Sequence, residues 1–125
     1  MENTKPKVIG IAPQLLVTDV LKTAEYYRDV LGFGIIGYAL DPPVYGMVER
    51  DGIQIHFAKS DEFVINEKLN PAITDLILWV PEIDAFYNEI KAKGADIVQE
   101  IQLRPYGSRE FKVSDCNGYK LLIGD

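Results

Sequence analysis

Residues 16–33 read LVTDVLKTAEYYRDVLGF, and this stretch decides the fold. Its apolar residues from Val20 to Leu31 recur at the spacing of one helix face. Asp19 stands just before them, where a carboxylate can cap a helix N-terminus, and Gly32 stands just after them, where glycine suits the left-handed end of a helix. The stretch therefore predicts a strand that runs directly into one amphipathic helix.

Short strands surround this predicted helix in the first half of the chain. They are apolar, β-branched runs separated by turn residues, and we predict them over Ile9–Val17, Phe33–Leu40, Val44–Glu49 and Ile53–Ala58. The Asp51-Gly52 pair before the last strand is typical of a tight hairpin.

Residues 79–94, WVPEIDAFYNEIKAKG, repeat the same plan about sixty residues later. Leu16 to Asp19 matches Trp79 to Glu82, and Gly34 is aligned with Gly94. Further strands are predicted over Ile73–Val80, Ile97–Gln102, Glu110–Ser114 and Tyr119–Ile123. The chain is therefore predicted to be one α+β domain over 1–125, built from two tandem βαβββ modules at about 8–60 and about 72–125.

Composition narrows the class of protein. The hydrophobic fraction of 47% and charged fraction of 26% are those of a globular domain. A net charge of −6 opposes general attraction to nucleic acid or anionic lipid. No apolar run could span a membrane, Met1 to Lys7 is too polar for a signal sequence, and Cys116 is the single cysteine. We therefore expect a cytoplasmic protein that binds neither nucleic acid nor membrane.

Three segments together resemble the vicinal-oxygen-chelate superfamily, which includes glyoxalases, extradiol dioxygenases and bleomycin and fosfomycin resistance proteins. They are Leu16 to Val20, Glu25 to Phe33, and Tyr106 to Phe111 with Asp115 to Tyr119. The closing Tyr106 to Phe111 phrase looks most like the bleomycin-resistance branch. The resemblance implies two mixed sheets that form a cup-shaped cavity, and it implies a homodimer.

In metal-dependent members of that superfamily, the resemblance implies four metal ligands, which fall here on Ala12, His56, Asp75 and Leu122. Only His56 and Asp75 carry a donor atom suited to a metal. Glu110 is a further candidate donor, and Gln14 could offer an amide oxygen. The expected cofactor is therefore none, with a divalent metal on His56, Asp75 and Glu110 kept as the alternative.

Strand alternation and the resemblance together nominate the residues that line the cavity. The ligand-binding candidates are Gln14, His56, Asp75, Trp79, Tyr106, Glu110 and Phe111. Other roles stay open for three of them, because Trp79 and His56 could be core residues and Asp75 could simply begin a strand in solvent. No residue is assigned a catalytic role.

The leading hypothesis is a small-molecule binding protein, similar to bleomycin-resistance proteins, that sequesters an aromatic and cationic compound without catalysis. Aromatic faces attract cations, and the carboxylates supply the opposite charge. One alternative is a metal-dependent lyase, isomerase or dioxygenase that uses His56 and Asp75 with Glu110 or Gln14. Another is a structural or partner-binding domain whose cavity is filled.

Overall fold

The computed structural model describes residues 5–62 and 73–125, and it contains two modules of the same design. Each module is a strand, a helix and three further strands, which confirms the predicted α+β class. In chain order the elements are β1 (Gln14–Val17), α1 (Val20–Asp29), β2 (Gly34–Ala39), β3 (Tyr45–Arg50), β4 (Ile53–Lys59), β5 (Leu76–Trp79), α2 (Ile83–Ala92), β6 (Asp96–Leu103), β7 (Arg109–Ser114) and β8 (Lys120–Gly124). The predicted start of the second module, near 72, lies outside the described residues.

Each module folds its four strands into its own mixed sheet. The strand order is β1-β4-β3-β2 in the first sheet and β5-β8-β7-β6 in the second. The first strand of each module runs parallel to the last one, and the other neighbours are antiparallel. Within the described part of the chain, neither helix is long and apolar enough to cross a membrane.

The first strand is shorter than the sequence predicts. We expected it from Ile9, but β1 begins at Gln14, where pairing with His56 of β4 starts. Pro13 has no backbone N–H that could continue the pairing of β1 with β4. Its carbonyl accepts the hydrogen bond at the N-terminal end of that pairing, from the backbone N–H of His56 at 3.0 Å. Residues 5–13 form an arm without helix or strand in which Val8, Ile9 and Ile11 are each more than 90% exposed.

The helices begin and end at the capping residues that the sequence predicts, with one correction. The Asp19 carboxylate accepts the backbone N–H of Lys22 at 2.9 Å and caps α1. Gly32 and Gly94 both have positive φ, at 76° and 93°, just after the two helices. The equivalent of Gly94 is therefore Gly32, and the alignment with Gly34 was wrong by two residues.

The two sheets and two helices share one apolar core. In β1 and β4, alternate residues such as Leu15, Val17 and Phe57 are buried, while the residues between them are not. The same core includes Ile83 and Ile90 of α2. One face of each sheet is therefore covered by the core. The other face is open along β1 and β4 of the first sheet and along β5 of the second, whereas Lys112 and Ser114 of β7 are buried on that face too.

A buried hydrogen bond ties the first helix to the second module. The Tyr27 hydroxyl donates to Asp115 Oδ2 at 2.7 Å, and the backbone N–H groups of Asn117 and Tyr119 donate to Asp115 Oδ1. Burial raises the pKa of the Asp115 carboxyl despite these bonds, and burial, followed by the charge of Asp115, raises the pKa of Tyr27 well above its ordinary value. The turn between β7 and β8 thus holds α1.

The reverse contact ties the second helix to the first module. Arg50, at the end of β3, makes two hydrogen bonds to the carboxylate of Glu89 in α2, at 2.6 and 3.0 Å. Its guanidinium also lies 4.9 Å from the centre of the Phe86 ring. A Cβ on Gly32 would stand 2.4 Å from Arg50 Nη1, so the glycine leaves room for this arginine. Each module therefore holds the helix of the other.

Removing the buried hydroxyl tests this coupling. Tyr27→Phe leaves Asp115 short of one donor in the core, so we expect the free energy of unfolding to fall by about 2 kcal/mol. Urea denaturation measures the loss. Tyr38→Phe, which removes the hydroxyl of an exposed tyrosine on β2, is the matched control and should leave stability unchanged; equal stability of the two variants would contradict the coupling.

Candidate ligand-binding site

The open faces of the two sheets carry most of the candidate ligand-binding residues. On the first sheet, the open face presents Gln14, Leu16, Tyr45, Met47, Gln54 and His56. On the second sheet, it presents Ile77, Trp79, Glu110, Lys112 and Leu122. We call these surfaces the first open face and the second open face.

Four polar side chains on the first open face form one hydrogen-bonded relay, made of Gln14, Tyr45, His56 and Gln54. The Gln14 amide Nε2 donates to the Tyr45 hydroxyl at 3.1 Å. The Tyr45 hydroxyl lies 2.7 Å from His56 Nδ1, and His56 Nε2 lies 2.9 Å from Gln54 Oε1. Gln14 and His56 were nominated from the sequence as ligand-binding residues, and the relay connects them to Tyr45 and Gln54.

The orientation of the Gln54 amide assigns the proton of the imidazole ring. With Oε1 facing the ring, a carbonyl oxygen can only accept, so the proton is on His56 Nε2. In the neutral ring Nδ1 is then an acceptor, and it receives the proton of the Tyr45 hydroxyl. The hydrogen bonds therefore run in one direction, from Gln14 through Tyr45 and His56 to Gln54.

This arrangement does not fit the metal site that the resemblance implies. Both nitrogens of His56 are engaged, Nδ1 with the Tyr45 hydroxyl and Nε2 with Gln54 Oε1, so a metal bound here would displace one of these hydrogen bonds. His56 lies on β4 of the first sheet, whereas Glu110 lies on β7 of the second and Asp75 lies just before β5. Among residues 5–62 and 73–125, no three histidine, cysteine or acidic side chains come together as a metal-binding group.

The second open face holds an aromatic ring and a carboxylate on either side of a glycine. Trp79 and Glu110 are both register partners of Gly124, which lies on the strand between theirs. Since neighbouring strands are about 5 Å apart, the two backbones are separated by about 10 Å with no side chain between them. The Trp79 side chain is 74% exposed, so it is a surface ring and not a core residue.

Glu110 is held in place by two neighbours. The Tyr106 hydroxyl donates to Glu110 Oε2 at 2.7 Å, and Arg104 Nε lies 3.5 Å from Oε1. The hydrogen bond to Glu110 raises the pKa of the exposed Tyr106 hydroxyl. Tyr106 and Glu110, both nominated from the sequence, therefore come together.

Asp75 has a role in the backbone of the second sheet. Its Oδ2 accepts the backbone N–H of Lys120 at 2.8 Å, and its own N–H donates to the Lys120 carbonyl at 2.8 Å. The residue is exposed just before β5. Asp75 therefore begins a strand in solvent, which is one of the roles that the sequence left open for it.

Phe111 is not on an open face, and its nomination is corrected. It is 0% exposed and packs against Phe86 and Tyr87 in the core. Because successive residues of a strand point to opposite faces, placing Glu110 on the open face turns Phe111 inward. Sequence reasoning also missed Gly124, whose importance depends on the register of three strands.

Two further features are a cleft that meets the first open face at Gln54 and a cysteine at the β7–β8 turn. A cleft of about 420 Å³ borders the arm and is lined by Ile9, Gly10, Ile11, Ala12, Gly52 and Gln54. At the β7–β8 turn, partial desolvation raises the pKa of the Cys116 thiol to about 11, so this cysteine is a poor nucleophile at neutral pH.

The relay makes a prediction about the proton on His56. This is the only histidine, so a nitrogen NMR spectrum of histidine-labelled protein shows one pair of ring signals. At alkaline pH, where histidine is ordinarily neutral, we expect the Nε2–H tautomer. In Tyr45→Phe the Nδ1 signal should shift because its donor is gone. A neutral ring protonated on Nδ1 would contradict the assigned direction of the relay.

Comparison with known proteins agrees with this architecture. Among solved structures, a glyoxalase-related enzyme from Clostridium phytofermentans is 20% identical, with 98% of each chain covered and a TM-score of 0.77. A bleomycin-binding protein complexed with bleomycin is 20% identical, with 94% of this chain and 98% of that chain covered and a TM-score of 0.75. For a bleomycin resistance determinant encoded on the transposon Tn5, the identity is 19%, the coverage 94% and 98%, and the TM-score 0.73.

At these identities the solved structures support the fold alone. A search of curated protein sequences gives no significant match. The family profile, in contrast, matches residues 10–123, which is nearly the whole chain. The chain belongs to the glyoxalase/bleomycin resistance protein/dioxygenase superfamily.

Proposed function

We propose that this protein binds an aromatic, cationic organic molecule on its open faces and sequesters it without chemical change. The observation that carries the proposal is the row of Trp79, Gly124 and Glu110 on the second open face. A cation that stacks on the indole ring would also lie toward a carboxylate.

The exposure of Trp79 supports this role. Large aromatic side chains usually supply core packing, and leaving most of an indole ring in water forfeits that contribution. Trp79 has this exposure on a short edge strand whose alternate residues, Leu76 and Leu78, pack against the core. A ring placed outward in this way is well suited to stack on a ligand.

Electrostatics support the preference for a cation. The net charge of −6 favours the approach of positively charged molecules. Glu110 is only 13% exposed at its side chain, so its interaction with a ligand charge would be screened less than that of a surface carboxylate. Because Arg104 lies beside Glu110, a bound cation would compete with this ion pair, and we place the main attraction on the indole ring.

The hydrogen bonds made by the donor set support binding without a chemical step. His56 is the residue best suited to general base or metal chemistry, and both its nitrogens are engaged in the relay. Asp75 is engaged with the backbone of β8. These engagements favour binding over catalysis, in a protein that we place in the cytoplasm.

We further propose that a second copy of the chain covers the open faces. Each face carries exposed apolar side chains, including Leu16 on the first and Ile77 on the second. The arm adds Val8, Ile9 and Ile11, whose apolar surface is almost wholly exposed. Contiguous exposed apolar surface is typical of protein interfaces. A homodimer that covers these faces would enclose the ligand between subunits.

Fluorescence of the single tryptophan tests ligand binding. We expect titration with a panel of planar aromatic cations to quench Trp79 saturably, and neutral isosteres of the same ring to bind more weakly. By calorimetry, Trp79→Leu should weaken binding of the best cation roughly tenfold. Tyr38→Leu, which alters an exposed aromatic residue of β2 near α1, is the control for a general loss of aromatic surface. No response from any cation would favour a filled or purely structural site.

Sedimentation tests the homodimer. We expect a dimer at micromolar concentration, and we expect the double variant Ile9→Lys with Ile11→Lys to weaken it, because charged side chains on the arm oppose burial. Leu21→Lys, on the exposed side of α1, is the matched control and should leave the dimer intact. A wild-type chain that stays monomeric at high concentration would contradict the second-copy proposal.

A further inference from the structure

We propose that the relay on the first open face recognises a neutral amide-type group of the ligand, one that carries both an N–H donor and a C=O acceptor. This inference rests on the proposed function, because it assumes that the ligand occupies the open faces. It adds a second chemical requirement, separate from the aromatic cation.

The direction of the relay leaves two complementary ends. Gln14 donates an amide N–H to the Tyr45 hydroxyl, and its carbonyl oxygen has no partner among residues 5–62 and 73–125. Gln54 uses its carbonyl oxygen on His56, and in the same described ranges its amide nitrogen has no partner. The relay therefore ends in an acceptor at Gln14 and in a donor at Gln54.

Tyr45 and His56, in the middle of the relay, already use their hydrogen-bonding atoms on each other and on the two glutamines. The Tyr45 hydroxyl accepts one hydrogen bond and donates another, and both nitrogens of His56 are used. The ends are neutral amides, so neither end supplies a counterion for a charged ligand group. Glu49, the register partner of Gln54 on β3, adds an acceptor beside them. A carboxylate on the ligand would meet this acceptor without a cation, whereas an amide N–H would suit it.

The interaction selects by hydrogen-bond pattern. When a ligand covers the face, the ends of the relay lose water and must be paired, and an analogue that lacks the matching group leaves them unpaired. The difference in Kd should therefore come from weakened binding of the analogue rather than from unusually tight binding of the amide. A difference of about tenfold in Kd is the size expected for one such hydrogen bond.

Two neutral probes isolate this contact from the cation preference. Benzamide carries the amide pattern, and acetophenone keeps the ring and carbonyl but replaces the NH₂ group with a methyl group. Their Kd values can be measured by NMR titration from the side-chain amide signals of Gln14 and Gln54. We expect benzamide to shift both signals and to bind about tenfold more tightly than acetophenone.

A substitution at the acceptor end completes the test. Gln14→Met keeps the length of the side chain but removes the carbonyl oxygen that accepts the N–H of benzamide, a group that acetophenone lacks, so it should abolish the preference for benzamide. Asn88→Met removes an amide at an exposed position of α2 and should leave the preference intact. Equal binding of the two probes, no binding of either, or a preference that survives Gln14→Met would overturn the inference. None of these results affects the proposed function, which depends on the response of Trp79 to aromatic cations.

Discussion

The structure depends on a reciprocal contact in which each module holds the helix of the other. The turn between β7 and β8 holds α1 through the buried bond between Tyr27 and Asp115. The end of β3 holds α2 through Arg50 and Glu89. Both helices are thereby drawn into one core with the inner faces of the sheets. The opposite faces must then point away from the core, and this constraint is what makes them available to a ligand.

The two open faces have diverged although the modules share one plan. The first is a neutral, directional network of amides, a phenol and an imidazole. The second combines an exposed indole with a carboxylate across Gly124. Two such faces can contact chemically different ends of one molecule. Duplication supplies the scaffold, and in the proposed function the residues that differ between the two open faces supply the selectivity.

The sequence predicts the scaffold well because its signals are local. Helical periodicity, the Asp19 cap and the glycines after each helix decide the element order within short windows of sequence. Register is not local, so the row of Trp79, Gly124 and Glu110 could not be seen. Phe111 was misplaced for a different reason: the family-like phrase nominated it together with Glu110, whereas adjacent strand residues face opposite sides. The start of β1 depended on where its pairing with β4 begins, at His56, which the apolar run from Ile9 could not show.

The account holds that the open faces bind an organic molecule and lack the donor set for a metal. A crystal structure of protein purified without chelator and soaked with a planar aromatic cation tests this most directly. It should show the cation stacked on Trp79 beside Glu110, with His56 still bonded to Tyr45 and Gln54. A metal ion coordinated by His56 together with acidic side chains, or a cation bound elsewhere with Trp79 covered by protein, would contradict the account.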